Sequence, residues 1–170
     1  MNPYPADVQS QVFALMGKAC ALMFEGLPNT TMDNMFECMV LNSCISTVIF
    51  RDKVPQQLVN EVDFERKQLF ALRGMAENEQ YAGRLPGGFN AFVVSRMGTY
   101  ANHMRFLRDR TTAKLAFSEM AFNLFIGPLE AKQGRTDSIE LIEFAGTRYM
   151  DVYDFLKNSI NNLTREKYGL

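Results

Sequence analysis

Apolar residues recur three and four positions apart through most of the chain, the spacing of one face of an α-helix and not the alternation of a strand. Val8, Val12, Leu15, Met16, Ala19, Cys20 and Met23 keep this spacing. Pro5 stands at a first-turn position before them, and Gly26 and Pro28 follow. The tract from Met35 to Phe50 goes further. Met35, Phe36, Met39, Val40, Leu41, Cys44, Ile45, Val48 and Ile49 cover nearly every direction of a helical wheel. A helix apolar all round needs neighbours on all sides. The pattern therefore predicts a second helix over about 32–50, capped from Asn29-Thr30-Thr31 and buried at the centre of a bundle. Its tail, Cys44 to Phe50, is β-branched enough to suit a strand as well.

Arg51 to Val54 reads as a turn, after which Pro55 can open a third helix to about Tyr81, on Leu58, Val62, Leu69, Leu72 and Ala76. The clearest loop, Gly83 to Gly88, precedes a fourth helix from Phe89 to about Arg108, on Val93, Met97, Tyr100, Met104 and Leu107. Thr111 or Thr112 caps a fifth, ending near Gly127-Pro128, unless the fourth and fifth are one. Asp137 with Glu140 three residues on has capping-box spacing. It starts a last helix to about Leu163, on Ile142, Ala145, Tyr149, Val152, Leu156, Ile160 and Leu163. The expectation is an all-α, single-domain bundle of five or six helices over residues 1–170. A chain of 170 residues buries enough surface to fold without disulfides or metal.

Several functions are argued against. A net charge of −1 does not suit a globally basic nucleic-acid binder. Cys20, Cys38 and Cys44 lack C-x-x-C spacing, and His103 is the single histidine, so no zinc or other metal site is expected. Neither a Walker loop, a dinucleotide fingerprint nor a G-x-S-x-G elbow occurs; no cofactor is expected and the reading leans away from an enzyme. The first residues carry no basic leader, and the apolar tract at 35–50 is too short and too polar to span a bilayer. A cytoplasmic protein with reduced thiols is the expectation.

Charge is segregated. Residues 81–118 hold Arg84, Arg96, Arg105, Arg108, Arg110 and Lys114 against Asp109, whereas residues 1–80 and 119–155 each carry −4. Phe92, Arg96, Thr99, His103 and Arg110 fall along one flank of the fourth helix, with Phe106 near it. Interleaved rings and cations suit a flat anion or a nucleic-acid strand, and equally suit the edge of a core. Just before this helix, Arg84 and the Gly87-Gly88 turn at a helix N-terminus form either an anion cradle or an ordinary turn. Glu65 falls in the apolar stripe of the third helix and needs a partner there. The last helix has apolar residues beyond its stripe, Leu141, Phe144 and Phe155, which suit a second subunit or a sandwiched position.

Three functional expectations follow. The first is a non-enzymatic helical binding protein that forms a homodimer and acts through a protein partner. The second is a binder or enzyme for a small anionic ligand, using Arg84, Gly87, Gly88, Arg96, His103, Arg110 and Glu65. The third is nucleic-acid binding through the basic band 84–114.

Overall fold

The computed structural model describes residues 5–27, 31–54, 61–78, 85, 87–106, 110–126 and 136–169, with side chains at 8–27, 31–54, 64–77, 85, 87–104, 115–126 and 136–169. Among them are six α-helices: α1 (Pro5–Met23), α2 (Met32–Lys53), α3 (Glu61–Asn78), α4 (Phe89–Phe106), α5 (Arg110–Ala121) and α6 (Ile139–Tyr168). A π-helical turn, Phe122–Ile126, continues α5. The described residues include no strand, so the β-branched tail of the second helix is helical, and α2 runs on to Lys53 through the expected turn. No helix among the described residues is long and apolar enough to cross a membrane.

Local chemistry sets the ends. Thr31 caps α2 in a reciprocal box: its hydroxyl accepts from the Asn34 N–H at 3.3 Å, while Asn34 Oδ1 accepts from the Thr31 N–H at 3.1 Å. At α6 the cap is Ser138, one residue past the expected Asp137; its hydroxyl accepts from the Leu141 N–H. Gly169 closes α6 in the left-handed conformation.

Burial then dictates the packing. Every residue from Phe36 to Ser46 is buried, as an all-apolar wheel requires. α2 lies against α1, α3, α4, α6 and the π turn. α1 and α6 pair on one side, and α5 bridges α4 and α6. α3 and α4 both pack on α2 but hardly on each other, apart from Arg73, which lies 5.4 Å above the Phe89 ring.

The surplus apolar face expected on the last helix is smaller than its sequence suggests. Phe144 packs edge-on to Phe125 at 5.6 Å and lies under the Arg148 guanidinium at 4.9 Å. Phe155 is half-buried against the core, and Leu141 is half-buried as well. The large apolar side chains exposed on α6 are Ile139 and Met150.

Candidate functional site: a cleft over the central helix

Two of the polar places in the core lie along α2 on its α3 and α4 side. The first is closed. Glu37, fully buried in α2, meets the buried Arg96 of α4, with Nε and Oε1 2.8 Å apart. The Tyr100 hydroxyl, one turn further along α4, donates to the same Glu37 oxygen at 2.5 Å. The buried Asn123 of the π turn lies beside Tyr100. The wider π turn also leaves the Leu124 carbonyl to accept from Asn34 of α2. Burial pushes the Glu37 carboxyl up from the usual 4.5 to about 7, against the pull of Arg96 and Tyr100. Burial, followed by the charge of Glu37, raises the Tyr100 hydroxyl.

The second place is open. Where α3 and α4 diverge, a cavity of about 280 Å³ remains above α2. Its wall is mainly apolar: Cys44 and Val48 of α2, Leu69 of α3, and Met97 and Ala101 of α4. Gly98 leaves further room there, since a Cβ on it would meet nothing within 4 Å. Ser43 and Gln68 also line it. Gln68 is 1% exposed, and neither its carboxamide atoms nor the Ser43 hydroxyl, all shielded from solvent, has a hydrogen-bond partner among the described residues. At the rim Arg51 and Glu65 form a half-exposed ion pair between α2 and α3. Burial pushes the Cys44 thiol up to about 11, so it stays protonated at neutral pH.

The residues expected to hold an anion are dispersed. Arg96 is taken up by Glu37, and Glu65 by Arg51. Glu65 therefore sits at the edge of the cleft and not in the core. His103 pairs with Glu119 of α5 at 2.8 Å. Gly88 and His103 stand at opposite ends of α4, about 20 Å apart at 1.5 Å per residue, so they cannot share one small ligand. The Gly87-Gly88 turn has its own explanation. Both glycines have φ near +73° to +89°, the left-handed region, and the Gly88 N–H is already bonded to the Leu85 carbonyl. Arg84 lies outside the described residues, as does the side chain of Arg110 in α5. The interleaved rings and cations of α4 stack on each other: the Arg96 guanidinium lies 4.9 Å over the Phe92 ring, and Phe92 stacks on Phe36.

Sequence reasoning passed over Glu37, Ser43, Gln68 and Asn123. The signal for Gln68 was present in the run Phe64, Gln68, Leu72, Ala76, a buried line at helical spacing with a polar member. The fold and site define an all-α bundle with a side cleft. Compared with protein-family models, curated proteins and solved structures, the chain matches none.

Proposed function

We propose that this chain is a binding protein whose ligand is a small molecule held in the cleft between α3 and α4. The observation that carries this reading is the cavity itself, about 280 Å³ with a mainly apolar wall. Ligand pockets are typically concave and apolar, with a few polar groups that fix orientation, and about 300 Å³ is the lower end of their range. The clustered arginines support it less, because Arg96 is engaged inside the core.

Gly98→Phe tests the proposal. Gly98 lines the cleft and a Cβ there meets nothing within 4 Å, so the ring has room and should obstruct the cleft. Small-molecule fragments screened by NMR should shift the amides of Cys44, Met97 and Gly98 in the wild-type chain and leave a folded Gly98→Phe chain unperturbed. Binding that survives in Gly98→Phe would place the ligand elsewhere.

A further inference from the structure

Phe70 and Val94 are the two most exposed large apolar side chains among the described residues, at 79% and 66%. They stand on α3 and α4, the two walls of the cleft. Val94 shares one face of α4 with Met97, Gly98 and Ala101, which follow it at helical spacing and line the cavity. Phe70 comes directly after the cavity-lining Leu69. Gln68 and Leu72, two residues to either side of Phe70, are buried. At 3.6 residues per turn the Phe70 ring therefore leaves α3 on the face opposite the core.

An unpartnered ring thus stands beside an apolar hole. The sizes agree: a cavity of about 150 Å³ lined by apolar side chains accommodates benzene. The 280 Å³ here admits a phenylalanine side chain. Phe70 leaves its own helix on another side and cannot fill the cleft beside it, but it can fill that of a second copy. An isologous pair brings the same patch of both copies together, so each gives its ring to the other. Such a contact opposes like charges unless each copy neutralises its own. Arg51 does so with Glu65 at the rim, and Arg73 with Glu77 on α3 at 3.7 Å. Exposed apolar patches mark association surfaces, and aromatic side chains seated in pockets carry much of the energy there.

Resting on the cleft as a site that accepts an apolar group, we infer that a second copy of this chain docks there. The two copies form a two-fold dimer, the Phe70 ring of each seated in the cleft of the other against Val48, Leu69 and Met97. The dimer regulates the site, because the incoming ring and a small ligand need the same space. Each therefore excludes the other, and a ligand of the cleft releases the monomer.

The test uses the whole chain, analytical ultracentrifugation, and toluene as the NMR probe of the cleft. Wild type should pass from 19.4 kDa to twice that mass between micromolar and several hundred micromolar concentration. Phe70→Ser, at an exposed position, should melt as wild type does and dimerise at least tenfold more weakly. Val94→Asp, exposed on the other wall, should weaken the dimer as much. Gly98→Phe, where it folds, should lose the dimer as well. Mixed with Phe70→Ser it regains one of the two contacts, so the mixture should associate more tightly than either variant alone. Toluene should shift the Cys44, Met97 and Gly98 amides and return wild type to monomer. A wild type that stays monomeric overturns the inference, as does a Phe70→Ser chain that dimerises like wild type. Oligomers beyond the dimer, a mixture no tighter than its parts, or a dimer that persists with toluene in the cleft overturn it too. The cleft still stands as a binding site wherever toluene shifts those amides in the Phe70→Ser chain. Toluene that shifts none of them in that chain removes the binding-site reading and the inference together.

Discussion

The closed polar cluster and the open cleft are built on the same two helices. Glu37 and Ser43 lie less than two turns apart on α2, and Arg96 and Met97 are neighbours on α4. Around Glu37 the polar groups converge: Arg96 and Tyr100 of α4 both meet its Oε1, while its Oε2 has no hydrogen-bond partner among the described residues. Around Gln68 they do not: its carboxamide is buried and has no hydrogen-bond partner among the described residues. What separates the two places is whether neighbouring elements close over them.

The largest effect that would break this contrast is at Arg96. Arg96→Ala leaves Glu37 buried beside no cation and should cost about 3–5 kcal/mol in urea unfolding at pH 8. A loss below about 1 kcal/mol would mean that the pair is not structural. The cost should shrink at pH 5, where a protonated Glu37 needs no counter-ion.

The next largest effect concerns pH. The folded Glu37 carboxyl holds its proton up to about 7, whereas the unfolded one releases it near 4.5. Between those values the native state binds the extra proton, so stability falls as pH rises. The contribution is complete below about pH 4.5 and lost through about pH 7, roughly 3 kcal/mol in all. Glu37→Gln should flatten that part of the stability profile; an unaltered slope would assign it to other groups.

Smaller effects sharpen the cleft side. Gly98→Ala adds a methyl group to open space in a helix interior and should stabilise by roughly 0.5–1 kcal/mol in thermal melts. Destabilisation would mean that the wall is tighter than its geometry indicates. Arg51→Ala removes a half-exposed ion pair at the rim and should change stability by less than about 1 kcal/mol. A larger loss would give the rim a structural role.

The sequence made the bundle legible through α2, since a wheel apolar in every direction has one stable place to go. It was less informative on α3. The stripe through Leu58, Val62 and Leu69 placed Glu65 in the core, whereas the buried line actually runs through Phe64 and Gln68. A glutamine and a glutamate look equally polar in a periodicity argument, and only packing shows which of them turns inward. Glu37 was hidden for a related reason: its partners stand 59 and 63 residues away, on a helix whose arginines looked like a surface.

The enclosure of α2 by five neighbouring elements also ranks the molecule by how its amides exchange with solvent. Amides on α2 from Phe36 to Asn42, away from the cleft, lie on buried residues, so their exchange rates should approach those set by the stability of the whole chain. Those of α3, held by α1 and α2 and open along the cleft, should exchange through local opening and slow down when the cleft is filled. Deuterium uptake measured peptide by peptide would thus read occupancy from the helix that moves, with α2 as the internal standard.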